Sequence, residues 1–222
     1  MTPNAWADTI VIAAAAISTF IFTEFVRRFA WRVGAVVRPD ERRVHLRPTP
    51  TLGGIAMFGG LLVALLVAWA NGRFSEVFAN PVQLLGIVGA AAVIHAVGVV
   101  DDFRQVSAPA KVAGITFGAS LLVIAGISIV TFRVPRFGLF LLSDDLVPLV
   151  TVLWVLAIAN AINLIDGLDG LAAGIVAIAA GSFLVYSTVL REEGIIEASN
   201  PGPLVAMCAL GVCLGFLPHN VS

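Results

Sequence analysis

Asp101 and Asp102 stand side by side at the end of a long apolar run, and Asn163, Asp166 and Asp169 recur every three residues at the end of another. Adjacent carboxylates suit two tasks. They can hold a hard divalent ion such as Mg²⁺, which takes oxygen ligands and commonly bridges carboxylate to substrate phosphate, or they can accept a proton. Lys111 follows the first pair after one short loop and has the charge to offset a phosphate. If helical, the second set spans about 120° of arc, one polar face; the interleaved Gly167 and Gly170 equally allow a turn. A third polar segment, R-R-V-H-L-R-P-T-P-T-L-G-G at 42–54, joins a basic cluster to a proline-rich turn and two glycines opening an apolar run. Arginines at a membrane surface attract anionic head groups, and glycines at a helix start let a phosphate approach backbone N–H groups. His45 taken alone reads as a simple surface histidine. Bland readings compete: a basic anchor with a plain turn, a polar helix end, a hydrophilic connecting loop.

The elements that must position these groups are apolar runs long enough to cross a bilayer, which takes about 20 residues. They cover 9–26, 48–72, 77–100, 112–132, 146–165, 170–190 and 198–222. In hydrocarbon every backbone polar group must be satisfied within the segment, and these runs lack the alternation of a barrel strand, so helices are expected. The fold class is therefore all-α, a polytopic transmembrane helix bundle with about seven spans, forming one transmembrane domain over 1–222. Small residues, as at 114–118 and 170–174, suit close helix packing in lipid.

Composition agrees. The chain is 59% hydrophobic and 12% charged, against roughly 25% charged in soluble domains, so water is not the solvent for most of its surface. Net charge is −1, which gives no basic field for nucleic acid. Cys208 and Cys213 lie on different helix faces and are read as buried thiols, not a bridge. A signal peptide carries its positive charges before the apolar core; here Arg27, Arg28 and Arg32 follow it, so the first run is read as a retained span.

The motifs together resemble one family. H-x-x-P-T-P-x-x-G-G from His45 to Gly54, V-V-D-D at 99–102, N-L-I-D-G-L-D-G-L-A-A-G at 163–174 and G-F-L-P-H-N at 215–220 are similar to the polyprenyl-phosphate N-acetylhexosamine-1-phosphate transferases, nearer to the enzymes that move N-acetylglucosamine 1-phosphate. The resemblance covers roughly residues 27 to 220. It implies Mg²⁺-dependent transfer, with Mn²⁺ as a substitute, from a UDP-N-acetylhexosamine to a membrane polyprenyl phosphate with release of UMP. It implies that Asp101 and Asp102 serve catalysis, that Asp102, Asp166 and Asp169 handle the metal, and that the turn around Thr51, with His45, Arg47, Lys111 and Asn163, meets substrate. Expected partners are the nucleotide sugar, the polyprenyl phosphate and membrane lipid, with a homodimer left open. Family members have ten or eleven spans and continue into a Gly-Asp-Ser-Gly-like acidic motif and a histidine-rich loop. The resemblance thus implies that this chain stops short of both and that its own activity suffers.

Two other readings stay open: a Mg²⁺-dependent membrane prenyltransferase with aspartate-rich motifs, and a transporter using acids as an ion path. The first expects N-D-x-x-D-x-x-x-D, and Leu164 stands where its first aspartate belongs. The second places ionisable groups near mid-bilayer, whereas these acids sit at span ends. Orientation follows the positive-inside rule. With the N-terminus outside, inner segments hold nine basic residues (Arg27, Arg28, Arg32, Arg38, Arg42, Arg43, Arg47, Arg104, Lys111) and outer ones four (Arg73, Arg133, Arg136, Arg191). All three motifs then face the cytoplasm at the cell membrane. Reporter fusions at Gly72 and Asn200 should read outside and at Gln105 inside; the reverse pattern would overturn this map.

Overall fold

The computed structural model describes residues 5–34, 36–37, 49–50, 52–104, 106–166 and 168–221. Its long helices are α1 (Ala5–Val33), α2 (Gly53–Ala70), α4 (Val82–Arg104), α5 (Ala108–Ile124), α6 (Leu146–Ile165), α7 (Leu171–Glu192) and α8 (Gly202–Asn220), with a single short turn of helix, α3 (Ser75–Ala79), between α2 and α4. Two small antiparallel pairs complete the described elements: β1 (Val36–Val37) with β2 (Thr49–Pro50), and β3 (Thr131–Val134) with β4 (Gly138–Leu141). Six of the seven helices are long and apolar enough to cross a membrane, and α5 is a shorter apolar helix of 17 residues. The chain is a multi-pass membrane protein of helical class.

It forms two compact units, one of residues 1–80 with 165–222 and one of residues 81–164. In the first, α1 packs on α2 and α8, and α8 also packs on α2 and α7. In the second, α4 packs on α5. The buried positions are mostly small: Ala15, Ala56, Ala64 and Ala68 are fully enclosed, while Ile17, Phe25, Leu66, Trp69, Ile178 and Phe183 point outward. Lipid explains that inversion. With no hydrophobic drive between helices in hydrocarbon, association depends on close contact through small residues.

The contacts show this at individual glycines. Gly211 and Gly215, one turn apart in G-V-C-L-G, lie on the backbone of α1: a Cβ at Gly211 would sit 2.6 Å from the Ile12 carbonyl oxygen, and one at Gly215 would sit 2.9 Å from the Ala16 carbonyl carbon. In the other unit a Cβ at Gly118 would lie 2.8 Å from Ile94 Cγ1, and Gly114 faces Val97. The small residues at 114–118 thus do pack closely; at 170–174 Gly170 packs against Val221 and Ala172 and Ala173 are buried, while Gly174 faces open space. Hydroxyls within the spans bond back one turn, as Thr23 to Thr19 O (2.7 Å), Ser120 to Thr116 O (2.8 Å) and Thr188 to Leu184 O (2.7 Å), which satisfies them without water. Cys208 and Cys213 are free, buried thiols.

The fourth expected run, 112–132, differs from the helix found. Helix α5 begins at Ala108, after Ser107 and with a proline in its first turn, and stops at Ile124. Gly126 takes φ +80°, and the Ile127 N–H donates to Leu122 O at 2.9 Å while the Gly126 N–H donates to Val123 O at 3.0 Å. That is a left-handed glycine stop with its paired return bonds. The residues beyond are apolar but β-branched or aromatic, and they build β3 instead. Similarly Pro81 splits the expected run 77–100, leaving α3 before it and α4 after it.

Substituting Gly211 by Val should force α1 and α8 apart and lower stability by about 1–3 kcal/mol, the usual cost of overpacking. Gly174→Ala, with nothing within 4 Å, should be neutral or stabilise by about 0.5–1 kcal/mol. Thermal unfolding in detergent, followed by intrinsic fluorescence, compares the two.

Candidate functional site

The first acidic motif closes α4. Asp101 and Asp102 lie in its last turn, where the helix dipole disfavours negative charge, so a carboxylate held there needs a counter-group. Asp101 has two. Its Oδ2 pairs with Lys111 Nζ at 2.6 Å, and its Oδ1 accepts the Val106 N–H at 2.8 Å. Lys111 reaches back from the first turn of α5, where its own N–H donates to Ser107 O at 3.0 Å. The packing of Gly114 on Val97 and Gly118 on Ile94 fixes the register of the two helices and hence the meeting of Asp101 with Lys111. Asp102, about 100° further round the helix, is exposed, as are Phe103 and Arg104.

The second acidic motif divides between a helix end and a turn. Asn163 belongs to the last turn of α6, and Asp166 and Asp169 lie in the connection to α7; all three are exposed. Gly170 caps α7 at φ +74°, and a Cβ there would meet Val221 at the end of α8. The Gly174 N–H donates to Gly170 O at 2.8 Å to open the helix. The same end of α8 touches two more elements. A Cβ at Gly53, the first residue of α2, would sit 2.8 Å from the Phe216 ring, and His219 Nε2 donates to Phe20 O at 3.1 Å with its ring 4.5 Å from that of Phe20. The starts of α2 and α7 and the end of α8 therefore share one end of this unit, with Glu24, which pairs with Arg27 and Arg28 at 2.8 Å each. His45, Arg47 and Thr51 lie outside the described residues.

Two polar features escape a reading of motifs. His95, half-buried within α4, lies seven residues before Asp102 on the same helix face. A lone histidine inside an apolar span was its only signal. At the other end of the first unit, Asp8 of α1 pairs with Arg73 after α2 at 3.4 Å. Arg73 and Arg191 of α7 both lie on the buried Phe74 ring, at 5.4 and 5.8 Å from its centroid. Arg191 also donates to Ala198 O at 3.3 Å. The sequence reading treats these loops as connections; the cluster ties three helix ends together.

The family model for glycosyl transferase family 4 matches residues 84–222, which include both acidic motifs. The chain belongs to glycosyl transferase family 4. Among its relatives, the decaprenyl-phosphate N-acetylglucosaminephosphotransferase of Mycolicibacterium smegmatis is 38% identical over 214 residues, covering 95% of this chain and 53% of the relative. The protein of that name from Mycobacterium leprae is 36% identical, covering 95% of this chain and 54% of the relative. A phospho-N-acetylmuramoyl-pentapeptide-transferase of Corynebacterium diphtheriae is 30% identical, covering 96% of this chain and 70% of the relative. The chain spans about half the length of the decaprenyl-phosphate N-acetylglucosaminephosphotransferases it matches.

Among the described residues, no three His, Cys, Asp or Glu side chains gather closely enough to hold a metal ion by themselves. The donor chemistry still suits one. Mg²⁺ commonly uses one or two protein carboxylates and completes its shell with water and substrate phosphates. Asp102, Asp166 and Asp169 are each exposed carboxylates of the type such an ion uses, and Asp101 has its two oxygens on Lys111 and the Val106 N–H.

The Asp101 pairings have separable effects. Lys111→Met should cost no more than about 1 kcal/mol, since the pair is partly exposed. Asp101→Ala should in addition speed hydrogen exchange at the Val106 amide, whose acceptor is lost, whereas Asp101→Asn should retain most of that protection. Equal protection in all three proteins would show that Asp101 does not organise the turn.

Proposed function

We propose that this protein transfers N-acetylglucosamine 1-phosphate from UDP-N-acetylglucosamine to a membrane polyprenyl phosphate and releases UMP. The observation that carries the reading is the family match over 84–222, which takes in both acidic motifs, together with relatives named as decaprenyl-phosphate N-acetylglucosaminephosphotransferases. Neither prenyl transfer nor ion transport appears in those relatives' names. We further propose a cell-membrane location, one transmembrane domain and a cytoplasmic face for the motifs, on the nine-to-four distribution of basic residues.

The reaction forms a bond from an acceptor phosphate oxygen to the sugar-bearing phosphorus and breaks the bond from that phosphorus to the UMP oxygen. Both reactants are anions, so the protein's tasks are charge and position. A bound divalent cation, Mg²⁺ or Mn²⁺, would neutralise phosphate charge and draw on Asp102, Asp166 and Asp169. Asp101 and Asp102 are the candidates to take a proton from the acceptor phosphate, and Lys111 offers an ammonium that can turn from Asp101 to a phosphate oxygen. Asn163, with His45, Arg47 and Thr51, is assigned to substrate contact.

In the whole protein, Asp102→Asn and Asp166→Asn should each lower kcat by about 10²–10³ while membrane insertion is unchanged. Lys111→Ala should act mainly on KM. UMP release from UDP-N-acetylglucosamine with polyprenyl phosphate and Mg²⁺ in detergent measures both. Near-normal turnover in both Asn variants would defeat the proposed use of these carboxylates.

A further inference from the structure

The connection from α5 to α6 carries a two-stranded hairpin. β3 and β4 pair from Thr131↔Leu141 to Val134↔Gly138, and every residue of β4 is exposed. Phe132 and Phe140 stack on one face at 5.7 Å, and Leu139 and Leu141 occupy the other at 66 and 76% exposure. Phe137 at the tip is 78% exposed. The strands and turn, 131–141, hold two charged residues, Arg133 and Arg136, both basic. Thr131 and Arg133 share the face of Leu139 and Leu141. A hairpin with large exposed apolar side chains on both faces is a poor fit to water, where exposed patches and open strand edges invite association.

Its depth follows from the helices on either side. The 17 residues of α5 rise roughly 26 Å, short of the ~30 Å hydrocarbon core. The far end of α5 still packs close to the start of α4, with Ala125 against Gly86. The chain after it is then pinned to α6: the Ile129 N–H donates to Thr151 Oγ1 at 2.9 Å, and the Thr151 hydroxyl donates to Val147 O at 2.7 Å. Thr151 lies five residues into α6, roughly 7 Å along its axis. The Leu142 N–H donates to Val130 O at 2.9 Å and closes the hairpin base there. The hairpin thus leaves the protein below the level at which α6 begins.

We propose that this hairpin lies in the interfacial layer of the bilayer, at the end of the α4–α5 pair remote from Asp101 and Asp102. Its occupant is the lipid surface: Phe137, Leu139 and Leu141 enter the acyl boundary, and Arg133 and Arg136 meet lipid phosphates. Pairing satisfies the inner backbone groups of the two strands. Their outer edges keep unpaired groups, which excludes the dry hydrocarbon core and favours the hydrated head-group layer. Aromatic rings are at home at that level, and arginine stems extend to it.

The test uses the whole protein in vesicles of phosphatidylethanolamine and phosphatidylglycerol, with nitroxide labels on Phe137→Cys, Leu139→Cys and, as an aqueous reference, Glu193→Cys. Cys208→Ala and Cys213→Ala supply the background; because both native thiols are buried, the labels can also be placed with them retained if that background does not fold. The ratio of oxygen to soluble nickel-chelate collisions should be severalfold higher at 137 and 139 than at 193. A ratio equal to that at 193 would place the hairpin in water and overturn the proposal. Low collision with both reagents would mean that protein covers it. Spin–spin broadening that disappears on dilution with unlabelled protein would mean that a second copy does. Either of these also overturns it.

Discussion

Backbone-close contact between helices in a solvent that gives them no reason to associate is the constraint on which the rest of this structure depends. Hydrocarbon satisfies apolar side chains as well as a protein interior does, so the bundle must gain its cohesion from proximity. That requires glycine where backbones meet, as Gly211 and Gly215 do against α1 and Gly118 does against α4. It also leaves the large side chains outside, and the many exposed Leu, Ile and Phe residues are the expected result. Such contacts tolerate little sliding, because a displaced glycine would be replaced at the contact by a Cβ with nowhere to go. Helix register is therefore set by small residues, and register is what carries polar groups at the helix ends to their places.

The sorting of charge by ends follows. Every ionisable group that the bundle keeps must be paired or brought to an edge. In the unit of α1, α2, α7 and α8, Glu24, Arg27, Arg28 and His219 lie toward one end, and Asp8, Arg73 and Arg191 toward the other. The two ends are built differently. At the Asp8 end the guanidiniums rest on a buried Phe74 ring and hold helix ends together, an arrangement that gives desolvated cations a partner. At the opposite end, Asp166 and Asp169 stay exposed in a turn whose approach to α8 is guarded by Gly170. One end is closed upon itself and the other presents acids outward.

Much of this was legible in the sequence because bilayer thickness and backbone satisfaction act on every residue of a span. The run 146–165 coincides with α6, and the acidic motifs fall at helix ends as their positions after apolar runs implied. What escaped depends on distinctions that apolarity does not make. Ile127, Ile129, Val130 and Phe132 read as more of a span; the left-handed stop at Gly126 and the β-branched run turn them into a loop and strand. The Asp8–Arg73–Arg191 cluster joins residues far apart in sequence, each unremarkable alone. Lys111 was legible as a cation near the acids, but its partner was not. Choosing Asp101 over Asp102 takes the helix phase and the packing of α5 on α4, which sequence spacing across a turn does not supply.

That choice bears on how an anionic substrate could be held near α4. Asp101 and Lys111 cancel one another, and Asp102 and Arg104 contribute one charge of each sign. The turn as a whole is neutral and offers a phosphate no net attraction. A phosphate brought within about 4 Å of the exposed Asp102 carboxylate would meet a repulsion of about 4 kcal/mol per unit charge at an effective dielectric near 20. Two routes remove it: a divalent cation between carboxylate and phosphate, or transfer of Lys111 from Asp101 to the phosphate. The second alone is insufficient, since it frees the charge of Asp101 as it spends that of Lys111. On the proposed reaction the two act together, with Asp101 retaining the Val106 N–H while its lysine turns away. Asp101 thus holds the turn and the lysine, while Asp102 is the more exposed of the two. Two adjacent and chemically identical side chains acquire different surroundings from a rotation of about 100° along one helix.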